Sequence, residues 1–365
     1  MGSVSTPVRP VFNASMPTPS GESINDILAK GSNSMNKLIE IFLRWRTHMV
    51  SYHNDVNTMY NQVELEEAYW VMQRYWWHPD LDPDESPVEK FVKSIIYGCR
   101  SSGNQAEYAI RLVASMFKDE FPEVYEIIMK DLYVDDFMSG VSSVDEDVPP
   151  VIHLNEVLNK LGFVVNRGGF SLKSFTVSKR PPDPSVSNDG TSIGVAGHKW
   201  YSEEDAIGFD FDGPNFAGKR RGKFEGVIKE VPEKLKRGMC CSKAAEIYDL
   251  TGLLTPITAT FKVDLHRMVE RKLDWQDIIP DNFRSIWVSH FEMINEIRNI
   301  KFNRAITPSD GASLDITTLD FGDASKDLVC VAIYARFLRK CGTYSCQLIF
   351  ARSRLDSRWN DPALC

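Results

Sequence analysis

Tyr133-Val-Asp-Asp136 sets two adjacent carboxylates between two apolar runs, within Asp131-Leu-Tyr-Val-Asp-Asp-Phe-Met-Ser-Gly140. That pattern reads as a β-hairpin with Asp135 and Asp136 at its tip. Like charges side by side are costly unless a cation lies between them. Oxygen-only ligands suit a hard divalent ion such as Mg²⁺. Taken alone, an acid pair at a turn reads equally well as solvated surface. A third carboxylate would complete a metal site, and Asp55 is the best candidate. It ends a strand expected over Met49–Val56, five residues before the aromatic Tyr60.

The elements that must position these acids follow from hydrophobic spacing. Leu38, Ile41, Phe42 and Trp45 have helical spacing after a capping Asn33-Ser34. Tyr69–Trp77 and Phe91–Tyr97 are aromatic, β-prone runs around a turn region at His78–Pro87. Trp76 and Trp77 read as core packing. Gly98-Cys-Arg-Ser-Ser-Gly-Asn-Gln-Ala106 is small and polar, lets a nucleotide base approach the backbone, and opens a helix along Ala106, Ile110, Val113, Ala114 and Phe117. Further helices are expected from Pro122, over Asn155–Leu161, Lys243–Leu253, Phe261–Leu273 and Pro280–Arg298, with short strands around Phe163 and Phe170. Arg180–Gly190 and Gly213–Lys223 read as surface linkers. From Ser313 the pattern is β, over Leu314–Phe321, Leu328–Phe337 and Tyr344–Ala351.

A chain of 365 residues that is 43% hydrophobic can bury more than one core. No apolar run approaches the ~18 residues that read as a membrane span. Seven cysteines without a Cys-x-x-Cys pair read as reduced thiols rather than a zinc site. A net charge of −8 argues against a surface that binds nucleic acid everywhere, and leaves room for a local basic groove. Lys219-Arg220-Arg221-Gly-Lys223 could grip nucleic-acid phosphates, or be a solvated loop.

The order of strand acid, small-residue helix start and Tyr-x-Asp-Asp hairpin resembles the reverse transcriptases, and more closely the pol polyprotein of Bel/Pao-type retrotransposons. The resemblance is carried by Arg9-Pro-Val-Phe-Asn-Ala-Ser15, Ser23-Ile-Asn-Asp-Ile-Leu-Ala-Lys-Gly31, Ser101-Ser-Gly-Asn-Gln105 and Tyr133–Gly140. Ala245-Glu-Ile-Tyr-Asp-Leu-Thr-Gly-Leu-Leu-Thr-Pro-Ile257 and Arg271-Lys-Leu-Asp-Trp275 extend it. It implies an α+β fold: a right-hand polymerase palm with partial fingers (1–180), a linker with helical thumb or connection (181–305), and a truncated ribonuclease H-like α/β segment (306–365).

It also implies RNA-directed DNA polymerisation through two Mg²⁺ ions, with Mn²⁺ as the alternative. Asp55 and Asp135 would bind both ions and Asp136 would be an accessory ligand. Arg9 would meet the triphosphate, Tyr60 would stack under the sugar, and Tyr97 and Gly98 would line the base. Lys173 matches a proton donor to pyrophosphate, and reads otherwise as a surface lysine. The implied partners are an RNA template, a DNA primer, deoxynucleoside triphosphates and other segments of the polyprotein, without a membrane, in a cytoplasmic retrotransposon particle or the nucleus.

Asp320-Phe-Gly-Asp-Ala-Ser325 resembles the opening of the ribonuclease H-like domain, with Asp323 as its first metal-binding acid. The other acids are expected beyond Cys365, so strand cleavage is not expected of this chain. Asn13 stands where the family more often has Asp, and the chain is expected to begin inside the fingers. The alternative function is a catalytically inactive remnant that binds nucleic acid without extending it.

Overall fold

A computed structural model describes residues 12–32, 34–79, 82, 84–142, 149–187, 189–220, 223–308, 316–339 and 341–355. The fold is mixed α/β, and the chain divides into two compact units at Gly190/Thr191.

The first unit contains α1 (Ile24–Ile27), α2 (Leu38–Thr47), β1 (Val50–Asn57), β2 (Arg74–Trp77), β3 (Val88–Phe91), α3 (Ser102–Met116) and α4 (Pro122–Asp131). It continues through β4 (Leu132–Tyr133), β5 (Asp136–Val141), α5 (Pro150–Arg167), β6 (Ser171–Leu172) and β7 (Thr176–Val177). Its main sheet runs β4-β5-β1-β6, with β7 also on β1, so β1 is central. Strand β1 alternates: Tyr52 and Val56 are buried among apolar side chains, while His53 and Asp55 share the other face. Ile110 and Ala114 of α3, Val124 and Ile128 of α4, and Leu154, Val157, Leu161 and Val165 of α5 close over Tyr52 and Phe137. These positions recur at helical spacing, which explains why three helices settle on one sheet face.

Several expectations fail here: α2 has Lys37 as its N-cap rather than the pair at 33–34, and only Phe91 of the Phe91–Tyr97 run lies in a strand. Glu67–Gln73 is a 3₁₀ segment, and only Arg74–Trp77 of the aromatic run is a strand. Trp70 donates its indole N–H to the Leu65 carbonyl at 2.8 Å, and Gln73 reaches the carbonyls of Val92 and Ser94, which folds the segment back on itself. Trp76 and Trp77 lie on the two-stranded β2–β3 ribbon, 68% and 39% exposed, so they are not core residues. Phe163 lies within α5, where its ring packs edge-on against Phe117 and Phe121, rather than in a strand.

The second unit contains β8 (Ile193–Val195), β9 (His198–Tyr201), β10 (Ala206–Phe209), the ribbon β11 (Lys219–Arg220) and β12 (Lys223–Phe224), α6 (Arg237–Ala245), α7 (Thr255–Glu270), α8 (Asp281–Ile297) and β13 (Phe302–Asn303). Strands β14 (Ile316–Ala324), β15 (Leu328–Leu338) and β16 (Tyr344–Leu355) complete it. One sheet runs β13-β10-β9-β8 and another β14-β15-β16. The first was not anticipated: its strands are two to four residues long, too short to show a period. Of the helix expected over Lys243–Leu253 only Lys243–Ala245 is helical, as the end of α6. The Asp249 carboxylate accepts the N–H groups of Gly252, Leu253 and Leu254, a local arrangement that competes with helix continuation. Lys262 of α7 donates to the Ser353 carbonyl and hydroxyl, both at 2.9 Å, tying that helix to β16.

Candidate functional site

Asp55 and Asp136 are direct partners across the antiparallel β1–β5 pair. Side chains so placed have Cβ atoms within about 4.5–5.5 Å, and like charges there are destabilising. Asp135 forms the tip of the two-residue turn closed by the Tyr133/Asp136 pair. Its carbonyl accepts the Val56 N–H at 2.7 Å, which pins the tip to β1. Val134, beside it, has φ 56°, a left-handed conformation that is costly for a β-branched residue. It is the first central residue of the turn, where a type II′ turn requires positive φ.

The electrostatics express the crowding. Burial, then the neighbouring charges of Asp136 and Asp55, push the Asp135 carboxyl up to about 6. Burial also raises Asp55, opposed by a hydrogen bond from Lys173. Lys173 Nζ lies 2.6 Å from Asp55 Oδ2, and His53 Nε2 lies 3.2 Å from Asp136 Oδ1. Sequence reasoning missed His53, and it named Lys173 only as a match to a proton donor or as a surface lysine. His53 was legible, since it stands two residues before Asp55 and must share its face. Lys173 is 20% exposed at its side chain, so the surface-lysine reading is corrected.

The aromatic residues gather beside the acids. Tyr60 sits on the 3₁₀ turn Met59–Gln62, its ring 4.5 Å from that of Tyr97. Burial raises its phenol, and the Asp135 charge adds to the shift. A Cβ added to Gly103, in the first turn of α3, would lie 3.7 Å from the Tyr60 hydroxyl, so the small helix start leaves room next to this ring. Gly98 has φ 101°, and a Cβ there would meet the Phe12 carbonyl at 2.5 Å. Asn25 locks this turn, donating to the Gly98 carbonyl and accepting from the Arg100 N–H. Thus Asp55, Asp135, Asp136, Tyr60 and Tyr97 come together in the first unit, with Gly98 next in the chain. Arg9 lies outside the described residues.

Residues 236–361 match the family model of the Pao retrotransposon-like RNaseH-like domain. Among solved structures, a foamy viral protease–reverse transcriptase in complex with double-stranded DNA is similar over 93% of this chain, with a TM-score of 0.51 and 11% identity. The family match supports a fragment of a Bel/Pao-type retrotransposon pol polyprotein. The chain spans about half the length of the foamy viral chain, covering 50% of it. No curated protein matches the sequence.

The matched range opens at α6 and takes in all of β14, where Asp323 lies opposite Cys330. Asp323 is exposed, and its Oδ1 accepts the Ala324 N–H at 2.9 Å. Lys219 of the basic cluster pairs with Glu246 at 3.7 Å, while Arg221 and Gly222 lie outside the described residues.

The donor chemistry of these acids fits a hard divalent cation: two carboxylates on neighbouring strands and a third at the adjoining turn, with Asp135 perturbed by burial and by the other two. Their side chains are not poised as a set. Among the described residues no group of three or more His, Cys, Asp or Glu side chains is arranged to hold a metal ion. Asp55 is turned to Lys173 and Asp136 to His53.

Proposed function

We propose that this chain carries the polymerase centre of a Bel/Pao-type reverse transcriptase, extending a DNA primer on an RNA template. The observation that carries this reading is the direct pairing of Asp55 with Asp136, with Asp135 at the adjoining tip. In this reading the first unit provides palm and partial fingers, and α6–α8 provide thumb and connection. Asp55, Asp135 and Asp136 would hold Mg²⁺ or Mn²⁺, which when bound neutralises charge on the phosphoryl oxygens and activates the primer hydroxyl. Catalysis would then rest on positioning and electrostatics rather than covalent chemistry.

The protein side chains supply the positioning. Tyr60, braced by Tyr97, offers a ring face under the nucleotide sugar and leaves no room for a 2′-hydroxyl. The turn at Gly98 exposes backbone to the base. Arg9 would meet the triphosphate, since a guanidinium fork matches phosphate oxygens. Asp323 is proposed as the first acid of the ribonuclease H-like segment, and no strand cleavage is assigned to it alone. Nucleoside triphosphates, template and primer are the proposed partners, in a cytoplasmic particle or the nucleus. The duplex bound by the foamy viral neighbour is consistent with this class of ligand.

A second reading, an inactive remnant that binds nucleic acid, is favoured by one observation: Asp55 is already paired with the Lys173 ammonium, and Asp136 lies against His53. Primer extension on poly-rA/oligo-dT with Mg²⁺ separates the two. Polymerase activity predicts extension by the full chain. Duplex binding without extension would establish the remnant.

A further inference from the structure

Asp55 has a cation of its own. Lys173 lies in the three-residue connection between β6 and β7, both of which pair with β1. Val56 and Asn57 pair with β6 on one side of Asp55, and Tyr52 and His53 pair with β7 on the other. The connection is therefore held opposite Asn54 and Asp55. Two further contacts fix the Lys173 backbone: its N–H donates to the Asp55 carbonyl at 2.9 Å, and its carbonyl accepts Asn54 Nδ2 at 2.5 Å. From that anchor the side chain folds onto the carboxylate, Nζ to Oδ2 at 2.6 Å. The two side chains are 20% and 28% exposed, so water screens the pair only in part.

An ammonium group is a compact charge on a flexible four-carbon stem. It takes the oxygen lone pair that a divalent ion would take at about 2.0–2.1 Å, and two cations cannot crowd one carboxylate oxygen without repulsion. The backbone is fixed and the stem is not, so Nζ can leave without disturbing β1 or β6. We propose that Lys173 is a displaceable internal cation: its ammonium and a divalent ion occupy the Asp55 carboxylate in alternation, so Lys173 sets the metal affinity of the site. Lys173 is thus a positioning residue that acts through Asp55. This rests on the reading of Asp55 as a metal ligand.

The test is Mn²⁺ titration of the full chain, followed by the electron paramagnetic resonance signal of the free ion. Lys173→Met is expected to bind Mn²⁺ about tenfold more tightly than wild type, the scale of losing one competing charge-assisted hydrogen bond. Lys173→Arg, which restores the charge, should return towards the wild-type value. Lys130→Met, an exposed control for charge alone, should leave affinity unchanged. Wild-type protein gives a second readout that needs no variant: reductive methylation of Lys173, quantified by mass spectrometry, should rise several-fold when Mg²⁺ is added. Equal or weaker Mn²⁺ binding by a folded Lys173→Met, or methylation indifferent to Mg²⁺, overturns the inference. Asp55→Asn separates this failure from failure of the metal site itself. If it binds Mn²⁺ as well as wild type does, Asp55 is no ligand and both readings fall. If it binds more weakly while Lys173→Met is unchanged, only the inference falls.

Discussion

Asp135 carries the strongest electrostatic signature of the candidate site. Its carboxyl titrates near 6 in the fold because burial and two neighbouring acids oppose its charge, whereas an unfolded Asp titrates near 3.9. Between about pH 4 and 6 the folded chain therefore holds a proton that the unfolded chain releases. The stability tied to protonated Asp135 is complete below about pH 4 and is lost as pH rises through about 6. With divalent ions chelated, Asp135→Asn is expected to be more stable than wild type at pH 7. The gain should be about 1–2 kcal/mol once partial exposure is discounted, and it should vanish near pH 4. Urea unfolding at the two pH values measures it. The same substitution should lower primer extension about a thousandfold, since a ligand of the proposed metal site is lost. A variant that is more stable yet inactive would mark Asp135 as a residue kept for chemistry. Extension left intact by Asp135→Asn would show the site assignment to be wrong. At this scale the acids were legible because adjacent carboxylates are conspicuous in any sequence. The Lys173 pair was not legible, because it depends on β6 and β7 straddling Asp55, a tertiary arrangement that no local pattern announces.

The β4–β5 hairpin is an element under strain at one residue and close packing at another. Val134 holds φ 56° at the turn. Such a conformation costs on the order of 1–3 kcal/mol in a non-glycine residue. Val134→Gly removes the strain and adds unfolded-state entropy, so a net stabilisation of about 1 kcal/mol is expected. A urea midpoint that falls instead would mean that the valine side chain has a packing role outweighing its backbone. Gly140, at the far end of β5, is the opposite case. A Cβ there would collide with the Val50 carbonyl and the His48 side chain. Gly140→Ala is expected to cost about 1–3 kcal/mol by forcing β1 and β5 apart, and this would show as a lower thermal midpoint. The hairpin, α3, α4 and α8 were readable from the sequence because each shows a complete period or a defined start. Pro122 opens α4, and the small residues from Ser101 open α3. Elements whose limits are set by side chains from elsewhere were not. Gln73 holding the Val92 and Ser94 carbonyls decides a 3₁₀ turn over a strand. Asp249 holding three N–H groups ends the run that would otherwise prolong α6.

At the level of the whole chain, a net charge of −8 requires any nucleic-acid contact to come from local cations. The overall resemblance to the reverse transcriptases was readable because its phrases are collinear. The β13-β10-β9-β8 sheet was not, and its cohesion depends on a buried ion pair. Arg304, with no exposed surface, donates from Nε to Asp205 Oδ1 at 2.6 Å and from Nη2 to Oδ2 at 2.9 Å. The Trp200 indole donates to the same Oδ1 at 3.3 Å, and the Arg304 N–H reaches the Asp205 carbonyl at 3.0 Å. The carboxylate thus links β9, the start of β10 and the end of β13. Arg304→Ala strips a buried carboxylate of its bidentate partner, which costs about 3–5 kcal/mol. The chain divides by contacts into units meeting at Gly190/Thr191, so the loss should be confined to the second. Urea unfolding followed by tryptophan fluorescence and by circular dichroism should show two transitions in the wild type. Only the one reported by Trp200 and Trp287 should move to lower urea in Arg304→Ala. A single transition displaced as a whole would show instead that both units unfold as one cooperative body, and the proposed polymerase centre would then depend for its stability on an ion pair in the second unit.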